Sequence, residues 1–176
     1  MKAWQQQGHR YGRVSVNVSG LQLKRGHFQK VVNDALNYAE LEPKHLELEL
    51  TENVLMPNTT RAMQVLDALK SQGIQIAIDD FGKGYSSLSY LERLPVDKLK
   101  IDKSFVADIS GSSSHGAIAR AVVALAKSLN LKVTAEGVET QEQRAFMFSE
   151  GCDDAQGFLF GKPMPASAFA ELATIS

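Results

Sequence analysis

Short strand-like runs alternate with helical patterns along most of the chain, and this alternation limits the possible folds more than any other feature. The runs are rich in β-branched and aliphatic residues, and their starts lie roughly 20 to 35 residues apart. They are Val14–Ser19, Leu46–Glu52, Gln75–Phe81, Lys98–Phe105, Lys132–Glu139 and Asp154–Phe160. Strands and helices that alternate at this spacing form parallel βαβ units. The sequence therefore predicts an α/β domain built on one parallel sheet.

The segments between these runs have the apolar periodicity of amphipathic helices. Apolar side chains recur on one face around Val32, Leu66 and Val122. A further helix is predicted to begin after Thr140, a suitable N-cap, and to end at Gly151. No composition shift indicates a linker, so the chain is predicted to form a single domain.

Polar or charged residues stand near the C-terminal end of every predicted strand. They are Asn17, Glu49, Glu52, Asp79, Asp80, Lys100, Asp102, Glu136, Glu139 and Gln156. Solvent contact would explain one such residue, but it is a poor explanation for all six strands. In a (β/α) barrel the C-terminal ends of the strands carry the catalytic groups. These residues are therefore candidates for one common site.

Two adjacent aspartates, Asp79 and Asp80, are the most informative pair among them. Neighbouring carboxylates repel each other unless a proton or a cation lies between them. Carboxylate and amide oxygens suit Mg²⁺ or Mn²⁺, and two such ions can support phosphoryl displacement. Lys100 could stabilise phosphate charge or hold a water, or it could form only a structural ion pair. The residues alone leave sugar isomerases, enolase-like lyases and phosphodiesterases open.

Composition argues against several other functions. The formal net charge is −1 and no basic cluster is evident, which disfavours a groove for nucleic-acid polymers. No apolar run approaches the roughly 20 residues of a membrane span, and no secretory signal pattern is present. Cys152 is the only cysteine, so no internal disulfide can form. These features predict a cytoplasmic domain without membrane contact of its own.

The segment IDDFGKGYSSLSYL closely resembles the DDFGTGYSSL signature of EAL-type cyclic di-GMP phosphodiesterases. Flanking motifs resemble the same family in the same order: VSVNVS, LELELTE, LPVDKLKIDKSFV, VTAEGVET and QGFLFGKPMP. The resemblance covers essentially the whole chain. It implies an EAL-type (β/α)8 TIM-like barrel that is incomplete, with about six strands, the third to the eighth, present. It also implies hydrolysis of one phosphodiester bond of cyclic di-GMP to give linear pGpG.

The resemblance further implies a two-metal site that uses Mg²⁺ or Mn²⁺. Asn17, Glu49 and Asp79 are the implied ligands of a first ion. Asp79 would bridge to a second ion, with Asp80 beside it. The resemblance also implies that Asp80 takes part in catalysis.

Other residues receive roles from the same resemblance. Lys100 is implied to orient the hydrolytic water, and Glu136 to contribute to the metal site and to catalysis. Gln156 and Asp102 are implied to contact water or substrate.

A loop at Phe81–Ser87 is implied to lie at a dimer contact and to couple that contact to metal binding. Glu52 is the residue implied to anchor this loop, and Glu139 is expected to support a neighbouring one. Lys83 stands in the loop where the signature has Thr, and this departure puts the dimer coupling in doubt.

The largest departure is that the sequence contains no Glu-Ala-Leu motif, whose glutamate and following arginine serve metal and substrate in the family. Residues 1–176 are accordingly interpreted as an EAL domain without its first two strands and their helices. Weak or absent hydrolysis is expected of this chain alone. The alternative is a non-catalytic cyclic di-GMP receptor or regulatory module. Expected partners are a second copy, as a homodimer or through open sheet edges, and attached sensor or GGDEF domains.

Overall fold

A computed structural model of the chain describes residues 1–6, 8, 12–55, 60–83, 91–107, 109 and 114–172. Within these residues, six parallel strands form one sheet in which each strand pairs with the next along the sequence. They are β1 (Val14–Asn17), β2 (Leu46–Thr51), β3 (Gln75–Phe81), β4 (Lys98–Ile101), β5 (Lys132–Ala135) and β6 (Asp154–Ala155). This arrangement is an incomplete (β/α) barrel, which confirms the predicted fold class.

Helices lie where the apolar periodicity around Val32, Leu66 and Val122 and the cap at Thr140 predict them, and the described residues contain further short helices that the sequence did not predict. The helices are α1 (Lys2–Gln6), α2 (Gly20–Lys24), α3 (Phe28–Tyr38), α4 (Glu52–Leu55), α5 (Thr60–Ser71), α6 (Lys103–Ala107), α7 (Ser114–Ser128), α8 (Gln141–Ser149) and α9 (Ala166–Leu172). Helix α8 begins with the predicted cap, because the Thr140 side chain accepts a hydrogen bond from the Gln143 backbone and the Gln143 side chain bonds back to Thr140. Gly151 follows the helix with a φ of 93°, a conformation that glycine adopts without strain.

The two faces of the sheet have opposite chemistry because side chains alternate along each strand. On the outer face, residues such as Leu50, Ile78 and Leu99 are completely or almost completely buried and pack in one cluster with helix residues such as Leu66 and Val123. The inner face carries the residues of opposite parity, which are mostly polar or charged. The fold therefore separates an apolar core outside the barrel wall from a polar interior, and the candidate site residues belong to the interior.

Five of the six predicted strands are shorter in the structure than in the sequence-based prediction, and the difference is largest for β4, β5 and β6. Strand β4 ends at Ile101 because Asp102 caps α6, where Ser104 donates both its backbone N–H and its hydroxyl to the Asp102 carboxylate. Strand β5 ends at Ala135, and β6 comprises only Asp154–Ala155. The chain after these two strands stays irregular, so Glu136 and Gln156 lie on loops just beyond the strand ends.

Strands β1 and β6 are the two edges of the sheet within the described residues. A cleft of about 1030 Å³ lies between these edges, and its lining includes Trp4, Val14, Gln156, Phe158 and Phe169. Apolar and aromatic side chains thus border a space that opens beside the candidate site. None of the helices in the described part of the chain is long and apolar enough to cross a bilayer.

Candidate active site

Lys100 on β4 lies at the centre of the candidate site. Its Nζ is 2.8 Å from Glu49 Oε2, 2.6 Å from Glu136 Oε1 and 3.3 Å from Asp79 Oδ1. These carboxylates come from β2, β3 and the loop after β5, so parallel pairing brings distant sequence positions to one point. The Lys100 side chain is only 5% exposed. The structure therefore assembles four of the predicted residues around one buried ammonium group.

The electrostatics of this group favour a charged lysine. Burial disfavours the charge on Lys100, but hydrogen bonds to Glu136 and Glu49 outweigh burial and raise its pKa above the ordinary value. Burial raises the pKa of Glu136, and the neighbouring ammonium of Lys100 opposes that rise. Three carboxylates share one ammonium here, which leaves negative charge uncompensated.

Asp79 supplies a buried acceptor that is not satisfied within the described residues. Its Oδ1 lies within ion-pair distance of Lys100 but accepts no hydrogen bond of acceptable geometry. A buried oxygen without an aligned donor costs free energy unless a further group satisfies it. Asp79 Oδ1 is therefore a candidate metal ligand beside Lys100.

A bulge in β3 explains how two adjacent aspartates can serve one site. Neighbouring strand residues normally point to opposite faces, but the β3–β4 register shifts between Ile78 and Phe81. Asp80 adopts a left-handed conformation with φ of 55° at this shift. The irregularity brings the Asp80 carboxylate to the same end of the barrel as that of Asp79.

Asp80, Asp102 and Glu136 form a second group of oxygens. One carboxylate oxygen from each lies within 4.8 Å of the others, a spacing at which one cation could bind all three. Lys83 contacts two members of this group: its Nζ is 2.8 Å from Asp102 Oδ2 and 3.2 Å from Asp80 Oδ1. The hydrogen bond to Asp102 raises the pKa of Lys83, so Lys83 carries a positive charge into the group.

Asp102 is the most buried of these three carboxylates. Burial opposes its charge, but hydrogen bonds from Lys83 and Ser104 outweigh burial and hold its pKa well below the ordinary range. It therefore combines a structural task, the start of α6, with a place beside the site.

Asn17 ends the edge strand β1, and Gln156 directly follows the other edge strand, β6. Asn17 is directly opposite Glu49 in the β1–β2 register, and the following residue, Val18, donates its N–H to the Glu49 carbonyl at 2.8 Å. Gln156 Nε2 donates to Glu136 Oε1 at 3.0 Å. Both residues thus border the group around Lys100 from opposite sides of the open sheet.

Glu52 and Glu139 are the two residues implied to support loops. Glu52 is buried, and its Oε2 accepts a hydrogen bond of 3.3 Å from the Gly82 backbone, at the start of the loop that it was predicted to anchor. Loop residues 84–87 lie outside the described residues. Glu139 is exposed, and its backbone N–H donates to Gln143 Oε1 at the start of α8.

The sequence-based prediction missed a second layer of charged residues, which lies nearer the N-terminal ends of β2 and β4 than the group around Lys100. Glu47 and Lys98 precede Glu49 and Lys100 by two residues, and their side chains are 3.0 Å apart. The signal was present in the sequence, because residues two apart on a strand share a face. The position of Lys83 between two aspartates was also missed, because it depends on the fold of a loop.

The donor set fits hard divalent cations. The oxygens of Glu49, Asp79, Asp80 and Glu136, with Asn17 alongside, are those that Mg²⁺ and Mn²⁺ prefer. The unsatisfied Asp79 oxygen and the surplus of carboxylates over ammonium groups are the structural observations in favour of this fit.

Comparison with known proteins gives one consistent result. The model of the EAL domain family matches residues 1–163. A curated relative, the "Bifunctional diguanylate cyclase/cyclic di-GMP phosphodiesterase MucR" of Pseudomonas aeruginosa, is 46% identical over 166 residues. That alignment covers 94% of this chain but 24% of the relative, so the chain spans about a quarter of the length of that protein.

Solved structures agree with this assignment. The structure described as "PaMucR Phosphodiesterase, c-di-GMP complex" has a TM-score of 0.90 at 45% identity, covering 96% of this chain and 68% of that chain. A manganese and cyclic di-GMP complex of BlrP1 from Klebsiella pneumoniae has a TM-score of 0.79 at 36% identity, covering 92% of this chain and 42% of that one. Proteins of this fold have thus been solved with the ligand, and one of them with a divalent metal.

Proposed function

The chain belongs to the EAL domain family, and from this premise we propose that its domain hydrolyses one phosphodiester bond of cyclic di-GMP to linear pGpG. One observation carries the proposal: a buried Lys100 ammonium is surrounded by Glu49, Asp79 and Glu136 at the strand C-termini, beside a cleft. The naming of MucR as a phosphodiesterase and the structure of the MucR phosphodiesterase in complex with c-di-GMP support the choice of substrate.

Two divalent cations, Mg²⁺ or Mn²⁺, are part of the proposal. Asn17, Glu49 and Asp79 would hold one ion, and Asp79, Asp80 and Glu136 would hold the other. When bound, such ions activate water and stabilise charge on the phosphoryl oxygens. The manganese complex of a relative supports this cofactor class.

Lys100 has a restricted chemical role in this scheme. The hydrogen bonds to Glu136 and Glu49 raise its pKa, which favours an ammonium in this arrangement of carboxylates. An ammonium can donate hydrogen bonds to the hydrolytic water or to a phosphate oxygen as negative charge develops there. Glu136, at 2.6 Å, holds the ammonium in place, and Gln156 fixes Glu136 in turn.

The remaining predicted residues would support this centre. Asp102 holds Lys83 and the start of α6, and we propose that it borders the bound substrate or water. Glu52 would anchor the loop after β3 through Gly82, and Glu139 would support the loop after β5.

A product assay tests the proposal. The purified chain is incubated with cyclic di-GMP and Mn²⁺ at near-stoichiometric concentrations, and pGpG is quantified by chromatography over hours. These conditions detect slow turnover, which we expect because the sequence contains no Glu-Ala-Leu motif. The Asp79→Asn variant is the matched control and should give no product. Binding of cyclic di-GMP without any pGpG, also when the chain is joined to a segment that carries the Glu-Ala-Leu motif, would contradict hydrolysis and favour the receptor alternative.

Association with other chains is a further part of the proposal. Strand β1 is an edge with exposed Val14 and Val16, and such an edge can recruit a strand from a second copy. We propose self-association at these edges or as a homodimer, and attachment to sensor or GGDEF domains in a cytoplasmic setting. Light scattering should give a mass above that of one chain, whereas a stable monomer would contradict self-association.

A further inference from the structure

Lys83 places a positive charge beside two carboxylates of the candidate site. It follows β3 directly after Gly82, and its Nζ contacts Asp102 Oδ2 at 2.8 Å and Asp80 Oδ1 at 3.2 Å. The Lys83 side chain is half exposed, whereas the Asp102 side chain is 3% exposed. The ammonium thus reaches from a surface turn toward a buried carboxylate.

The carboxylates that Lys83 contacts belong to the group of oxygens suited to a cation. Asp80, Asp102 and Glu136 offer oxygens within 4.8 Å of one another. Lys83 is bonded to two of these three residues, so a monovalent cation attached to the chain already neutralises part of the group. The bulge at Asp80 contributes to this arrangement, because it brings Asp80 to the same end of the barrel as Asp102.

We infer that Lys83 is a tethered competitor for the second divalent cation and weakens its binding at Asp80 and Glu136. A divalent ion that enters this group has to break the ion pairs of Lys83 or bind beside its positive charge. The ion held by Asn17, Glu49 and Asp79 is less affected, because Lys83 contacts none of those three residues in the structure. The inference rests on the two-cation function proposed above.

The tethered competitor predicts unequal affinities for two ions on one chain. The ion bound near Asn17 should bind first, and the second should bind only at higher concentration. An unbranched side chain of similar length without charge, as in Lys83→Met, would remove the competition. A side chain that keeps the charge, as in Lys83→Arg, would retain it.

Titration with Mn²⁺, read by the electron paramagnetic resonance signal of the free ion, tests the inference without any activity measurement. Parent, Lys83→Met and Lys83→Arg chains are titrated in the absence of cyclic di-GMP. Lys83→Met should bind the weaker Mn²⁺ about tenfold more tightly, the scale expected for one nearby charge. Lys83→Arg should bind like the parent.

Lys30→Met is a matched control. Lys30 is an exposed lysine paired with Asp34 at 2.7 Å on α3, so its substitution also removes one charge and one ion pair. Its Mn²⁺ binding should equal that of the parent.

Each contrary outcome has a separate meaning. Equal affinities in parent and Lys83→Met, with two Mn²⁺ bound, would overturn the role of Lys83 and leave the proposed function intact. Tighter binding in Lys83→Arg as well would also overturn it, because the charge would then not be the cause. No Mn²⁺ binding by any of these chains would overturn both the inference and the two-cation function.

Discussion

Two layers of charged residues lie one above the other inside the barrel, and they use the same residue types on neighbouring strand positions. The site layer consists of Glu49, Asp79, Lys100 and Glu136. The lower layer consists of Ser15, Glu47, Lys98 and Asp154, two residues nearer the strand N-termini on β2 and β4. In each layer a lysine of β4 pairs with a glutamate of β2.

The layers differ in their balance of charge and in their position along the strands. Lys100 faces three carboxylates, whereas Lys98 faces two, and each layer contains one buried carboxylate oxygen without an aligned donor, Asp79 Oδ1 in the site layer and Glu47 Oε2 in the lower layer. Lys98 pairs with Glu47 at 3.0 Å and with the exposed Asp154 at 3.5 Å, and Ser15 donates to Glu47 at 2.9 Å. Parallel strands place chemistry at their C-terminal ends. We therefore expect the ion pairs of the site layer to serve catalysis and those of the lower layer to serve stability.

The largest expected effect is loss of stability on Lys98→Met. This change leaves the buried Glu47 carboxylate without its cation, and breaking a buried pair from one side costs about 3 kcal/mol. Urea unfolding monitored by circular dichroism measures the free energy of unfolding. The double variant Lys98→Met/Glu47→Leu should recover most of the loss, because no buried charge is then unpaired. A stable single variant would show that the lower layer is not structural.

Next in size is the effect of Lys100→Ala on catalysis. In a domain that also carries the Glu-Ala-Leu motif, single-turnover formation of pGpG should fall at least ~100-fold, the scale for losing one electrostatic group in the transition state. The binding of cyclic di-GMP should change far less. Lys98→Met, assayed well below its melting temperature, should retain turnover. Similar turnover in Lys100→Ala and the parent would contradict the role given to the upper lysine.

The sequence predicted the common features of the two layers better than their differences. Spacing and periodicity predicted the parallel sheet, and strand ends predicted the residues around Lys100. The lower layer was predictable, because Glu47 shares a strand face with Glu49 and Lys98 shares one with Lys100. The prediction considered only residues at the strand ends and therefore did not include this layer.

Other features depended on tertiary structure. The bulge at Asp80 results from the fit of β3 against β4, and no local pattern indicates it. The segment after Asp102 has an aromatic and a β-branched residue that favour a strand, yet it forms α6 because Asp102 caps it. The ion pairs of Lys83 join residues from a loop and the end of another strand, so sequence periodicity does not contain them.

Cys152 offers a probe of the lower layer with an expected effect of about tenfold. It is buried, burial raises the pKa of its thiol to about 11, and the thiol donates to the carbonyls of Val133 and Asp154. Because the thiolate reacts and burial disfavours it, labelling with a disulfide reagent should be slow at pH 8 in the parent. Lys98→Met should label at least about tenfold faster than Lys100→Ala, because opening at β6 exposes the thiol. Equal rates would mean that the lower layer does not hold β6.

Ser15→Ala has the smallest expected effect, because it removes one hydrogen bond of the lower layer. Ser15 Oγ donates to Glu47 Oε1 at 2.9 Å from the edge strand β1, and its loss should lower the free energy of unfolding by about 1 kcal/mol. In a background of Glu47→Gln the same change should cost less, because the acceptor is then no longer charged. Glu49→Gln is the matched background from the upper layer, and there Ser15→Ala should keep its full cost. Equal costs in the two backgrounds would show that Ser15 acts through the β1 edge rather than through Glu47.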